Sequence, residues 1–266
     1  MTTYKFKVGN FKCVSITDFE RHMAVDMIFS NRSADERQQV LSEFIESGLP
    51  GALNILYIDT GDHHILVDSS IGGADSNLLS LLAEIDVQPE MIDRVIITHG
   101  HGDHVGGLLV MPAGDWVFPN AQYLINATEW AYWTDEATLQ NMGERAALWH
   151  VLREKLAGEI TLFEPGDEIL PGIHAVDAQG HTPGMVGLLL ESNGEQLLHI
   201  ADTAHHPFQI KHPDWSPRFD SHPDIAAETR QRLFERAAAE KLLVLAYHFS
   251  KPGLGYVKGK NWEPLV

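Results

Sequence analysis

The apolar residues of this chain fall into short runs that are separated by turn-forming residues. Two such runs, at 53–58 and 64–68, flank the turn Thr60-Gly61-Asp62, and this arrangement predicts a β-hairpin. Residues 4–17 predict two short strands around Gly9-Asn10. Further short strands are predicted at 94–98, 160–163, 173–177, 186–190, 196–200 and 242–246.

Segments with helical spacing alternate with these strands. Ser33 and Glu36 have the spacing of a capping box, and the apolar pattern behind them stops at Gly48 and Pro50. Helices are also predicted at 77–85, over 126–157 and at about 224–240, while the proline-rich segment 203–223 is expected to be a long ordered loop. Because no linker-like segment separates the two halves, we expect one domain over 1–266, with two mixed sheets and helices outside them.

Composition and charge narrow the choice of partner. The chain has 37 acidic and 19 basic residues and a formal net charge of −18, which argues against binding to nucleic acid or to an anionic membrane surface. The sequence has no apolar run long enough to span a membrane and no signal-peptide pattern, so a cytoplasmic protein is expected. A single cysteine, Cys13, excludes an internal disulfide framework and any metal site built on paired cysteines.

Histidine is the unusual residue of this composition, with 15 copies. Directly after the predicted strand 94–98, the chain runs His99-Gly100-His101-Gly102-Asp103-His104. Alternate side chains of an extended segment share a face, so His99 and His101 can bind one ion. A turn into a helix at Gly102 would direct Asp103 and His104 towards a second ion. A histidine-rich surface loop is the alternative, but such loops rarely follow directly on a buried strand.

Three more residues of the metal-ligand type follow predicted strands. His181 lies in the segment Gly180-His181-Thr182-Pro183-Gly184, Asp202 ends the strand Leu197-Leu198-His199-Ile200-Ala201, and His248 follows the strand at 242–246. Taken alone, a residue in such a position is more often a turn or cap residue. Together with the 99–104 loop, the three predict side chains that converge on one rim of the fold.

These motifs resemble those of the metallo-β-lactamase superfamily in order and approximate spacing, over about residues 10–250. The resemblance implies an αββα sandwich, of the α/β class, with a two-metal site at one edge of the sheets. Asp68 matches an acid that braces the histidine loop in that family, although the usual Asp-Thr-Gly reads Asp68-Ser69-Ser70 here. The implied ligands are, for the first metal, His99, His101 and His181; for the second metal, Asp103, His104 and His248; and for both metals, Asp202.

Within the superfamily, the C-terminal half is similar to the lactonase and organophosphate-hydrolase branch, where a Pro-Gly-x-Gly turn follows the last metal histidine. The resemblance implies a hydrolase in which a hydroxide between two divalent metal ions opens an ester, with a lactone as the favoured substrate. Asp103 is the expected proton acceptor. Acyl-homoserine lactonases commonly place a tyrosine three residues after the bridging aspartate, where this chain has His205, the expected catalytic donor to the substrate carbonyl. A site of imidazole and carboxylate without thiolate favours zinc but admits manganese, iron or cobalt.

Several functions stay open at this point. They are a phosphotriesterase or arylesterase, a thioesterase of the glyoxalase II type, a sulfur dioxygenase with one iron, and a metal-binding protein without turnover. A small-molecule substrate is expected, and a homodimer is compatible with this branch. Apolar side chains from the long loops are expected to line the substrate pocket. The candidates are Met23, Met27, Phe29, Trp130, Trp133, Phe208 and Trp215.

Overall fold

Two β-sheets of seven strands each form the centre of the molecule in the computed structural model, which describes residues 2–265. The strands are β1 (Thr2–Val8), β2 (Phe11–Met23), β3 (Leu49–Asp59), β4 (His64–Val67), β5 (Arg94–Ile97), β6 (Leu109–Val110), β7 (Asp115–Trp116), β8 (Gln122–Asn126), β9 (Thr161–Phe163), β10 (Glu168–Leu170), β11 (Ile173–Asp177), β12 (Val186–Ser192), β13 (Glu195–His199), β14 (Leu243–Leu245), β15 (Leu254–Lys258) and β16 (Asn261–Pro264). The α-helices are α1 (Val25–Ile28), α2 (Ala34–Leu41), α3 (Leu78–Ala83), α4 (Gly102–Val105), α5 (Ala127–Thr134), α6 (Glu136–Met142), α7 (Ala147–Leu156), α8 (Phe208–Lys211) and α9 (Pro223–Glu240).

Both large sheets are mixed. The first has the strand order β1-β2-β3-β4-β5-β8-β9, with antiparallel pairs from β1 to β4 and parallel pairs from β4 to β9. The second runs from β10 to β16 in chain order, and its one parallel pair is β13 with β14. Strands β6 and β7 form a small separate hairpin.

The central strands carry apolar residues on both faces, and both of these faces are buried. Along β3, Leu56 and Ile58 point into the core between the two sheets, while Ile55 and Tyr57 point towards the helices on the outer face. A strand covered on both sides needs a continuous apolar run, and this is the pattern that predicted these strands. The single cysteine, Cys13, lies in the core between the sheets, where burial raises its pKa to about 12.

Helices cover the outer face of each sheet. Trp149 and Leu152 of α7 belong to the same core as the outer face of the first sheet. Leu233 and Phe234 of α9 pack with Leu198 and Val244 of the second sheet. This is the layer order helix, sheet, sheet, helix, so the predicted αββα sandwich is confirmed.

The segment predicted to be helical over 126–157 is helical, and it is divided into the three helices α5, α6 and α7. The side chain of Asn126 accepts a hydrogen bond from the Glu129 amide and caps α5, and the side chain of Asp135 caps α6 in the same way. Gly143, with φ of 58°, follows the end of α6. Each cap begins a new helix, so helical composition alone could not give the boundaries. The capping box of Ser33 and Glu36 at α2 is confirmed.

Strands β6, β7, β8, β10, β15 and β16 were not predicted. They are short, and β10 and β16 have no fully buried residue, so an alternating or continuous apolar run is weak there. Their position in a sheet comes from pairing with a neighbour, as when β16 pairs with β15. None of the helices in the described range is both long and apolar enough to cross a membrane.

Candidate metal centre

The potential ligands meet at one edge of the sandwich because the strands that precede them end there. Asp68 follows β4, and the histidine loop follows β5, its parallel neighbour in the first sheet. In the second sheet, Asp202 follows β13 and His248 follows β14, again as parallel neighbours. Parallel strands bring their carboxyl ends to the same edge of a sheet, so four segments that are distant in sequence reach one site.

The first group of potential ligands consists of His99, His101, His181 and Asp202. His101 Nδ1 lies 3.0 Å from His99 Nε2 and 2.9 Å from His181 Nε2. The His181 Nε2 atom lies 3.4 Å from Asp202 Oδ2. Four ligands at the usual zinc distances of about 2.0–2.1 Å would lie roughly 3.3 Å from one another in a tetrahedron. The spacing of the donor atoms therefore fits one ion.

The second group consists of Asp103, His104 and His248. His248 Nε2 lies 3.7 Å from Asp103 Oδ2, and His104 Nε2 lies 4.0 Å from Asp103 Oδ1. Asp202 stands between the two groups, with Oδ1 3.1 Å from His104 Nε2 and Oδ2 2.9 Å from His248 Nε2. This is the position that a bridging carboxylate requires. The structure thus brings together all seven residues that were predicted as ligands, and their binding of metal stays a prediction.

The buried atoms His104 Nε2 and Asp202 Oδ1 lie 3.1 Å apart without the geometry of a hydrogen bond, and neither has another hydrogen-bond partner in the described structure. A buried polar atom without a partner costs about 1–3 kcal/mol, and a cation between the two atoms would remove that cost. The atoms that converge are imidazole nitrogens and carboxylate oxygens, which are ordinary ligands of divalent zinc. The residues present therefore fit a metal site.

The pKa shifts within the cluster also fit a metal site. Burial lowers the pKa of His99 well below its usual value, helped by the neighbouring His104. Burial alone would raise the pKa of Asp202, but His248 and His104 outweigh it and hold that pKa well below its usual range. Burial would also lower the pKa of His104, yet the carboxylates of Asp202 and Asp68 hold it well above its usual value. The site thus favours a positive charge beside His104, which a metal ion would supply in place of a proton.

Asp68 lies where the resemblance placed it, against the histidine loop. Its Oδ2 accepts hydrogen bonds from His104 Nδ1 at 2.8 Å and from the Thr98 hydroxyl at 2.7 Å, and its Oδ1 accepts from the Thr98 amide at 2.8 Å. The side chain is fully buried. A carboxylate that accepts from Nδ1 fixes the ring orientation of a histidine and leaves Nε2 free for a ligand.

His205 is fully enclosed by the site. Its side chain is 2% exposed, its Nε2 lies 3.2 Å from Asp202 Oδ2, and its ring stacks on that of His248 with centroids 4.8 Å apart. Asp202, His205 and His248 also form a third group of potential ligands. Burial lowers the pKa of His205 to about 4. The residue is therefore a neutral imidazole at neutral pH, next to both groups of ligands.

Two buried carboxylates beside the site were not singled out from the sequence. Glu129 accepts hydrogen bonds from the Gly100 and Gly184 amides, at 3.0 and 2.8 Å, and thereby connects the loop of His99 to the loop of His181. Asp220 accepts a hydrogen bond from His181 Nδ1 at 2.8 Å. The only sequence signal for Glu129 is an acidic residue in the apolar helix α5, and Asp220 has no signal within the loop 203–223.

A cavity of about 460 Å³ lies beside His101. Trp133, one of the candidates for the pocket lining, is part of its wall. The other walls come from Gly100, Gly102, Val105, Met142, Arg145, Leu148 and Trp149.

The remaining pocket candidates serve mainly to pack the protein. Met23, Phe29 and Trp215 are buried in a small apolar cluster, and Met27 and Phe208 pack against it. Trp130 packs against the core under the first sheet. A buried aromatic residue in a loop looks the same in sequence as one that lines a pocket, because burial against a neighbouring loop is decided only when the two loops fold together.

Comparison of the sequence with models of known protein families identifies the family of this chain. The family model of the Metallo-beta-lactamase superfamily matches residues 48–248 of the chain, a range that holds all seven potential ligands. The chain belongs to the metallo-beta-lactamase superfamily. The family that the motifs predicted is confirmed.

Several curated proteins are similar to parts of this chain. N-acyl homoserine lactonase of Bacillus thuringiensis is 25% identical over 179 residues, which are 65% of this chain and 62% of that protein. Exodeoxyribonuclease WalJ of Streptococcus pneumoniae is 40% identical over only 67 residues, which are 25% of this chain and 23% of that protein. The matched segments thus span less than two thirds of these curated relatives.

Two solved structures match over almost the whole chain. The structure of AidC, a dizinc quorum-quenching lactonase in complex with a product, superposes with a TM-score of 0.89 at 25% identity and covers 99% of this chain and 97% of that one. The hydrolase AbOPH superposes with a TM-score of 0.87 at 24% identity, with the same coverage. At this identity, the match to AbOPH supports the same fold and nothing about activity.

Proposed function

We propose that this protein is a metal-dependent hydrolase that opens an ester bond, with a lactone as the favoured substrate and two zinc ions in the site. The observation that carries the proposal is the position of Asp202, whose two oxygens lie 3.1 Å and 2.9 Å from His104 and His248 while Oδ2 also lies 3.4 Å from His181. One carboxylate between two sets of imidazoles is the arrangement that a two-metal site needs. The similarity to a dizinc lactonase structure over 99% of the chain supports the choice of metal and of substrate class.

The proposed ligands are His99, His101, His181 and Asp202 for one ion, and Asp103, His104, His248 and Asp202 for the other. When bound, two such ions acidify water and polarise the carbonyl oxygen of an ester, so hydrolysis needs no serine or cysteine nucleophile. The chain's own task is to hold these donors in place, and Asp68 does so for His104.

Asp103 is the proposed proton acceptor and donor. Its side chain is 24% exposed, against 3% or less for His104, His248 and Asp202. An exposed carboxylate is accessible to water and to substrate, and this accessibility supports a role for Asp103 in accepting a proton from water and passing it to the leaving oxygen of the substrate. The buried ligands cannot exchange protons with a bound substrate as readily.

His205 is the proposed donor to the substrate carbonyl. Neither of its ring nitrogens has a hydrogen-bond partner in the described structure, although the ring is buried beside Asp202. A buried imidazole without a partner is available either to a substrate or to a metal ion. Replacement by alanine separates the two roles. Loss of turnover with unchanged zinc content supports a donor, while loss of zinc would make His205 a ligand instead. The exposed His150 on α7 provides a control, since its replacement should change neither quantity.

The experiment that tests the proposed function combines metal analysis with a substrate panel. The protein should contain about two zinc ions per chain and should hydrolyse lactones faster than aryl esters, phosphotriesters, thioesters or single-stranded DNA. Two bound ions without turnover on any member of the panel would make the protein a metal-binding protein. Preferential turnover of another class would replace the lactone by that class, and one bound iron with oxygen consumption would replace hydrolysis by an oxygenase reaction.

We also propose that the substrate is a small molecule and not a nucleic acid, since the net charge of −18 opposes binding of a polyanion. A single homodimer is proposed for the assembly, and sedimentation of the purified chain tests it. We also propose a cytoplasmic location, which fractionation of cells tests.

A further inference from the structure

Behind the metal cluster, Asp220 and Arg230 form an ion pair in which both side chains are fully buried. Asp220 Oδ2 accepts a hydrogen bond from the Arg230 guanidinium at 3.0 Å. Its other oxygen, Oδ1, accepts from His181 Nδ1 at 2.8 Å. The carboxylate is therefore shared between a potential metal ligand and an arginine of helix α9.

Arg230 also holds the loop that follows Asp202. Its Nε donates to the carbonyl oxygen of Thr203 at 2.6 Å, and a terminal nitrogen donates to that of Pro213 at 2.6 Å. His205 lies between these two anchoring points in the chain. The same guanidinium thus fixes Asp220 and the ends of the segment that carries His205.

The backbone keeps the carboxylate and the imidazole in register. The amide of Ser221 donates to the carbonyl oxygen of His181 at 2.9 Å, and the amide of His222 donates to that of Gly180 at 2.9 Å. Residues 220–222 therefore lie along residues 180–181, and the distance from Asp220 to His181 does not depend on one side-chain rotamer.

We propose that Asp220 is a positioning residue that orients His181 as a metal ligand, and that Arg230 keeps the Asp220 carboxylate in place for this task. The proposal rests on the proposed metal site. A carboxylate that accepts from Nδ1 selects the tautomer with the proton on Nδ1, and it directs the Nε2 lone pair towards His101 and Asp202. A buried carboxylate needs a partner for its second oxygen, and Arg230 supplies it.

The test measures zinc affinity of the full chain by competition with a chromophoric chelator. Asp220→Ala should weaken the binding of the zinc ion held by His181 by about 10–100-fold, the usual effect of losing such a partner. Asp220→Asn should lie between Ala and the wild type because the amide oxygen still accepts from Nδ1. The matched control is Asp177→Asn. Asp177 pairs at 3.3 Å with Arg232, which lies on helix α9 as Arg230 does, but both of these side chains are exposed by 40% or more. That control should bind zinc as the wild type does.

A second variant and a second readout keep the proposal testable if Asp220→Ala does not fold. Arg230→Lys retains the charge but loses the forked contacts, and it should weaken zinc binding while Arg232→Lys does not. In the metal-free protein, imidazole ¹⁵N NMR should find the proton of His181 on Nδ1 in the wild type and a mixture of tautomers in Asp220→Asn. Zinc affinity within twofold of wild type in folded Asp220→Asn and Arg230→Lys, with an unchanged tautomer, would overturn the proposal.

These outcomes are separate from those of the proposed function. A wild-type protein that binds zinc but opens no lactone contradicts the hydrolase and leaves the role of Asp220 standing. A wild-type protein that binds no metal contradicts the metal site and, with it, the role of Asp220 in orienting a metal ligand; the tautomer of His181 then reports only whether Asp220 fixes the ring.

Discussion

Replacement of Glu129 by glutamine is the substitution with the sharpest expected effect on both the fold and the site. The Glu129 carboxylate is fully buried and accepts four hydrogen bonds. One oxygen accepts from the Gly100 amide and the Trp133 indole, and the other accepts from the Thr182 hydroxyl and the Gly184 amide. Only a carboxylate offers acceptors on both sides, because the glutamine side chain has one oxygen and one NH₂ group.

The magnitude follows from the donors that lose their acceptor. If the NH₂ group faces Thr182, the hydroxyl can rotate to accept from it, but the Gly184 amide is left without a partner. If it faces the other side, both the Gly100 amide and the Trp133 indole lose theirs. Each orphaned buried donor costs about 1–3 kcal/mol. Burial raises the pKa of Glu129 against its four hydrogen bonds, so a neutral side chain recovers part of this cost. We expect a net loss of about 2 kcal/mol in the free energy of unfolding.

Urea unfolding of the metal-free chain, with zinc affinity as a second measurement, checks this expectation. Because Gly100 and Gly184 flank the residues His99, His101 and His181, zinc affinity should fall together with stability. Glu154→Gln is the control, since Glu154 is an exposed residue of α7 and its replacement should leave both quantities unchanged. A Glu129→Gln protein within about 0.3 kcal/mol of the wild type would refute the reasoning, because single unpaired buried donors cost more than that.

Three other outcomes are expected. Ser33→Ala removes the capping box in which Ser33 and Glu36 exchange hydrogen bonds, and it should lower the free energy of unfolding by about 1 kcal/mol in urea; an unchanged midpoint would show that α2 does not depend on its cap. Asn54→Ala removes the side-chain amide that donates to the carbonyl oxygens on either side of His248, so it should weaken zinc binding. Asn10→Ala, at an exposed position, is the control and should not. Equal zinc affinities in the two variants would mean that the backbone around His248 keeps its shape without Asn54. Removal of zinc by a chelator should lower the free energy of unfolding by about 2.7 kcal/mol per ion, relative to protein in free zinc at about 100 times the dissociation constant. A thermal unfolding midpoint that the chelator does not change would argue against a bound metal.

Much of the fold could be predicted from local pattern. Strands such as 53–58, 94–98 and 186–190 are apolar on both faces, and the capping box of α2 is a contact over three residues, so the chemistry that fixes these elements is local. The histidine loop 99–104 is likewise contiguous, and its position directly behind a buried strand was visible in the sequence. The boundaries of α5 and α6 were not visible, since they depend on which side chains turn back to cap a helix.

The sequence by itself determined the types of ligand and the strand ends on which they stand. Only the tertiary structure decided their surroundings, because burial and hydrogen bonding join segments that no local pattern connects. Asp220 and His181 are 39 positions apart in the sequence, and Glu129 and Gly184 are 55 apart. The spacing of hydrophobic residues indicates neither contact. The apolar candidates Met23, Phe29 and Trp215 illustrate the same point: their residue type favours burial, and the fold decides whether a substrate or another loop covers them.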